Sequence, residues 1–123
     1  MKHYAMTGGA TGIGAATKAK LLADGNKVTV VDIKDADIIA DLGNPESRAE
    51  ALSALQAAGP FDGVITCAGV ASHFPDTAAI VSINYYGTVE LLEGLKDHLN
   101  PKARVVAISS NSAPMCTNEE LVT

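Results

Sequence analysis

Eight residues near the start of the chain, Thr7-Gly8-Gly9-Ala10-Thr11-Gly12-Ile13-Gly14, follow a short apolar run, Tyr4-Ala5-Met6, and open an alanine-rich segment of helical character. A chain turning sharply from strand to helix needs residues tolerant of positive φ, and a backbone that approaches a diphosphate closely has no room for Cβ atoms. Gly8 suits the turn out of the strand, Gly12 the approach of N–H groups to phosphate, and Gly14 close packing of the helix on the sheet. The positive end of that helix then faces the anion. The stretch reads as a dinucleotide-phosphate cradle. Ala15 and Ala16 stand where a triphosphate-binding loop carries Lys-Ser/Thr, which argues against an ATPase or GTPase.

Three further groups bear on chemistry. Asp32 closes a β-branched run, Lys27-Val28-Thr29-Val30-Val31, where a ribose 2′-hydroxyl arrives in a mononucleotide-binding βαβ unit. Its carboxylate would accept from that hydroxyl and repel a 2′-phosphate, so NAD(H) is favoured over NADP(H); Thr11 is not basic, and Lys34 is too close to the acid to outweigh it. An ordinary solvated strand-end acid is the alternative. Ser109-Ser110 ends another apolar run, but no Gly-x-Ser-x-Gly elbow surrounds it, which rejects a hydrolase. Cys67 has no histidine nearby in sequence and reads as an apolar filler rather than a nucleophile.

The elements that must position these groups alternate. After the loop, residues 13–23 read as a helix stopped by Asp24-Gly25-Asn26, and 27–32 as a buried parallel strand. Residues 37–42 read as a third strand, and Asn44 with Pro45 starts a helix ended near Ala58 by Gly59-Pro60. Residues 62–66 read as a fourth strand. The longest helix is expected over 76–99, with Ile80, Ile83, Val89, Leu92, Leu95 and Leu99 as its stripe and Pro101 after its end. Within it, Asn84 and Gly87 are locally unfavourable, and local rules tend to be broken at functional sites. Residues 104–110 read as a fifth strand. The fold class is α/β, a Rossmann-type doubly wound parallel sheet of about five strands in the order 3-2-1-4-5.

Composition narrows the functions. The 123 residues suit one domain, and 47% apolar residues suffice for a core. A net charge of −5 without a Lys/Arg cluster lacks the footprint of a nucleic-acid binder. No apolar run approaches the ~20 residues of a membrane span, and no secretory n-region and h-region opens the chain, so a cytoplasmic location is expected. Cys67 and Cys116 are expected as reduced thiols, and His3, His73 and His98 lack metal-ligand spacing, so no metal site is expected.

Thr7-Gly8-x-x-x-Gly12-x-Gly14 resembles the short-chain dehydrogenase/reductase family. The likeness extends to Ala68-Gly69, although Thr66 and Cys67 replace the family's two asparagines, and to Asn84 and Ile108-Ser109-Ser110. Ala10-Thr11-Gly12-Ile13-Gly14, Asp32-Ile33-Lys34-Asp35-Ala36, Ile39-Ala40-Asp41-Leu42 and Val81-Ser82-Ile83-Asn84-Tyr85 look like its bacterial 3α-hydroxysteroid dehydrogenase/carbonyl reductase subgroup. The resemblance implies NAD-dependent hydride transfer with a small secondary alcohol or ketone, hydroxysteroids among them. It implies that Gly8, Gly12, Ile13 and Gly14 hold the pyrophosphate and that Ala68 and Gly69 back the cofactor. Asp41 and Leu42 would line the adenine pocket, though a plain strand-end turn reads almost as well. Asn84 would hold a relay water, with an ordinary helix asparagine as the alternative, and Ser110 would orient the substrate oxygen.

The family's Tyr-x-x-x-Lys pair is absent, because Gly8, Val89 and Glu90 stand four residues after Tyr4, Tyr85 and Tyr86. The chain is therefore read as residues 1–123 of a longer dehydrogenase's NAD-binding domain, inactive by itself; a non-catalytic NAD(H)-binding module or sensor is the alternative. A methyltransferase would need an acidic residue before the loop, where Met6-Thr7 stands. With Val105, Val106 and Ile108 on a sheet edge and an unpartnered helical stripe, association is expected, as a homo-oligomer through the helix 76–99.

Overall fold

The computed structural model describes residues 1–69 and 77–108. Five parallel strands form one sheet in the order β3-β2-β1-β4-β5. They are β1 (His3–Thr7), β2 (Lys27–Asp32), β3 (Ile38–Ile39), β4 (Phe61–Thr66) and β5 (Leu99–Ala107). Helix α1 (Gly12–Ala23) joins β1 to β2, α2 (Pro45–Ala58) joins β3 to β4, and α3 (Thr77–Val81) and α4 (Gly87–Leu95) precede β5.

Alternation along the central strands sends side chains to two cores. Ala5 of β1 and Val31 of β2 join Leu42, Ala51, Leu55, Leu91 and Leu95 under α2 and α4. Met6, Val28 and Val30 face the opposite way, against Leu21 of α1. Both faces are covered, which is why these strands are apolar along most of their length.

Helix ends follow their local chemistry. Asn44 Oδ1 accepts from Ser47 N at 3.0 Å and caps α2, with Pro45 in its first turn. At the end of α1, Gly25 takes φ +84°, and Asn26 N returns to Leu21 O.

Three expected elements differ. The third strand pairs over two residues rather than six, because Asp41 N donates to the Ser47 hydroxyl and its carboxylate accepts from Gly43 N, turning the chain into α2. The helix expected over 76–99 is not continuous. A π-helical turn (Ser82–Tyr86) separates α3 from α4, and a 3-10 turn (Lys96–His98) follows. The extra residue of the π turn shifts the inward face, so Gly87, Leu91 and Leu95 are buried, and Leu91 was not on the expected stripe. Leu99 lies in β5, which begins five residues earlier than expected and includes Pro101. Proline is tolerated there because β5 is an edge strand, and register slips where Phe61 pairs Leu99 but Gly63 pairs Arg104.

Candidate functional site

A cleft of about 660 Å³ opens at the carboxyl ends of β1, β2 and β4. Ligands of open α/β sheets collect at this end. Its wall includes Gly8, Thr11, Asp32, Asp41, Leu42, Ala68 and Gly69. Gly12, Ile13, Gly14 and Asn84 are not part of that wall, and Ser110 lies outside the described residues.

The glycine loop is built by contact. Gly8 has φ +76°, and a Cβ there would stand 2.6 Å from Ala68 N. A Cβ on Gly14 would collide with the carbonyl oxygen of Gly8, so α1 rests directly on the loop. Gly12 takes φ +60° with open space on its Cβ side. Ile13 is 65% exposed. Gly8 N donates to Val31 O at 2.9 Å, and the buried Thr7 hydroxyl accepts from Ala68 N at 3.2 Å, which fixes the β1 and β4 ends together.

The start of α1 differs from that of α2. Thr11 stands at the N-cap in extended conformation, makes no side-chain cap, and no acid occupies the first turn. Thr11, which lines the cleft, thus leaves the first N–H groups of α1 uncapped by its own side chain and facing that space. A diphosphate fits this cradle: positive-φ glycines, uncapped helical donors and open space at Gly12.

Asp32, half-buried, presents its carboxylate to the cleft; Oδ2 accepts from Ala10 N at 3.0 Å and Oδ1 from Ile33 N at 2.7 Å. Asp41 Oδ1 accepts from Gly43 N at 2.9 Å on an exposed turn. Leu42 does double duty, buried in the core beneath α4 while lining the cleft. Asn84 stands on the π turn with its Oδ1 3.1 Å from where a Gly69 Cβ would be, so Gly69 admits that side chain. The Cys67 thiol lines the cleft, half-buried, and burial pushes its pKa up. That favours the protonated thiol and suits a filler better than a nucleophile.

Sequence reasoning missed Ile33, Asn44, Ala79 and Ile83 in the cleft wall. Ile33 follows Asp32 and is 64% exposed, an apolar signal beside an acid that was available in the sequence. Ile83 sits in the wall on the π turn, which no local pattern announces.

Comparison with known proteins agrees with this geometry. A family model described as short chain dehydrogenase matches residues 2–120. The 3-alpha-hydroxysteroid dehydrogenase/carbonyl reductase of Comamonas testosteroni is 37% identical over 113 residues, covering 87% of this chain and 44% of that protein. The coniferyl-alcohol dehydrogenase of Pseudomonas sp. (strain HR199 / DSM 7063) is 33% identical, covering 89% and 44%. This chain thus spans a little under half the length of these relatives. The crystal structure of the 3-alpha-hydroxysteroid dehydrogenase from Pseudomonas sp. B-0831 complexed with NADH superposes with a TM-score of 0.89 at 35% identity, over 97% of this chain and 48% of that one. With the glycine loop, the strand order and the sequence match agreeing, the chain belongs to the short-chain dehydrogenase/reductase family.

Proposed function

We propose that this chain forms the NAD(H)-binding part of an oxidoreductase acting between a secondary alcohol and its ketone, with a hydroxysteroid as the substrate class that two of the relatives above carry in their names. The single observation that carries the reading is the uncapped N-terminus of α1, set beside the positive-φ glycines and followed across the cleft by Asp32. Bound nicotinamide would supply the hydride acceptor and donor. Gly8, Gly12, Ile13 and Gly14 hold the pyrophosphate through main-chain N–H groups, and Asp32 accepts from the adenosine ribose. Asp41 and Leu42 border the adenine, while Ala68 and Gly69 let the cofactor lie close against β4. Asn84 holds a water for proton relay, and Ser110 orients the substrate oxygen. Self-association through the helical segment 77–98 belongs to the same reading, since Val81, Tyr85 and Tyr86 are exposed on it.

A non-catalytic NAD(H)-binding module is the second reading, which 123 residues without a Tyr-x-x-x-Lys pair permit. Calorimetry with NADH and NADPH tests the proposal. The wild-type chain should prefer NADH, and Asp32→Ala should shift that preference toward NADPH by about tenfold, the loss of one charge-assisted hydrogen-bond set. No heat with NADH on folded material refutes it. Absorbance at the reduced-nicotinamide band with an alcohol substrate separates enzyme from module: binding without turnover supports the module.

A further inference from the structure

The carboxylate of Asp32 is tied to the loop across from it. Its Oδ2 accepts from Ala10 N, 22 positions away, at 3.0 Å, while Oδ1 accepts from Ile33 N at 2.7 Å. Ala10 follows Gly9, whose Cβ position stands 2.7 Å from Val30 Cγ1, so the crown of the loop lies directly over β2. Below the crown, Gly8 N is bonded to Val31 O; beyond it, Ala15 N is bonded to Thr11 O within the start of α1. The Ala10–Asp32 bond is a polar tie between them.

A carboxylate offers about four acceptor positions, so two backbone donors leave room for sugar hydroxyls on the same group. We infer that Asp32 is a positioning residue for the glycine loop as well as the reader of the ribose, holding the phosphate-binding N–H groups in shape before a ligand arrives. The ligand side of this inference rests on the proposed function; the latch itself is a property of the chain. A loop so held loses less freedom on binding, and that raises affinity without any new contact to the ligand.

Asparagine and alanine at position 32 distinguish the latch from sugar reading, because both remove the charge but only asparagine keeps an oxygen that can accept from Ala10 N. With no nucleotide added, amide hydrogen exchange at Ala10 should accelerate about tenfold or more in Asp32→Ala, measured against the buried β1 amides of Ala5 and Met6. Asp32→Asn should restore most of that protection. It should also bind NADPH about threefold or more tighter than Asp32→Ala does. Ala10 exchange that is unchanged in Asp32→Ala, or that rises only in step with Ala5 and Met6, overturns the latch. Equal NADPH affinities for the two variants overturn its role in binding. A wild-type chain that takes no NADH refutes the proposed function instead, while Ala10 exchange still decides the latch.

Discussion

His3 sits at the amino end of β1, far along the strand from the cleft, and joins three strands. Its backbone N–H donates to Asp62 Oδ2 at 2.9 Å, its Nε2 lies 2.6 Å from the Thr29 hydroxyl, and its ring packs on Phe61 at 4.6 Å. Asn100 Nδ2 donates to the other Asp62 oxygen, which brings β5 into the same cluster. Burial holds the His3 pKa below its ordinary value, Lys27 adds to the depression, and Asp62 opposes it. The unfolded chain therefore binds a proton at this site before the folded one does. Stability from the neutral ring is present above about pH 6.5 and is lost as pH falls through the unfolded and then the folded pKa. The Asp62 carboxyl is also held low, by the His3 N–H first and Asn100 second, so its contribution persists to lower pH before it is lost. Thermal unfolding between pH 7 and pH 5 should show a small decline, under about 1 kcal/mol for a group this exposed, that His3→Gln flattens. A decline of the same size in His3→Gln would assign it elsewhere.

Between neighbouring elements the principal polar joint is Arg48 of α2. Its guanidinium is buried, donates through one NH to Leu42 O at 2.9 Å and through Nε to Glu90 of α4 at 2.6 Å, and lies 5.8 Å from the Tyr86 ring centroid. The joint ties the chain after β3 to α2 and α4, and Leu42 carries it to the wall of the cleft. The two partners are unequal, since Arg48 is 8% exposed and Glu90 49%. Urea unfolding should give a loss of about 1–3 kcal/mol for Arg48→Met, which leaves a buried carbonyl without its donor. Glu90→Gln should cost under about 1 kcal/mol, because a half-exposed carboxylate is well served by water. Equal losses would place the energy in the ion pair instead. This joint was not legible in the sequence: Arg48 reads as a surface residue of a mixed helix, and its partner lies 42 positions on. The glycine loop and Asp32 were legible because their constraints are local, a positive φ at Gly8 and a carboxylate at the end of a strand. The π turn was not. Apolar residues from Ile80 to Leu95 keep a helical rhythm whether or not one residue is inserted, and only Asn84 and Gly87 hinted at the break. The start of β5 was misplaced for a related reason: Pro101 stops a helix but is equally at home on an edge strand.

Taken together, the described residues form a sheet covered on both faces at β1 and β2 and open toward β5. β5 is the last strand in the order, Val105 and Val106 on it are both 47% exposed, and Ile108 just past its end is 44% exposed. Successive residues of a strand point to opposite faces, so the exposure of both Val105 and Val106 means that the described residues cover neither face of this strand as they cover β1 and β2. Among the described residues no strand pairs the outer side of β5, whose last three residues, Val105-Val106-Ala107, are apolar, and such edges recruit further strands. The helical segment offers a second apolar surface at Val81, Tyr85 and Tyr86, of which Tyr85 and Tyr86 stack edge-on at 5.0 Å. Chains of this composition should therefore associate. Sedimentation velocity over a range of concentrations should show species heavier than 12.6 kDa growing with concentration. Two variants locate the contact. Val106→Lys places a charge on the edge and should return most of the material to monomer if strands pair, while Tyr85→Glu should do so if helices pair. Because both are surface changes, each should leave thermal stability within about 0.5 kcal/mol of the parent chain, which separates lost association from lost folding. A wild-type chain that sediments as a monomer at every concentration defeats the expectation, because water alone would then suffice at both the β5 edge and the exposed helix face.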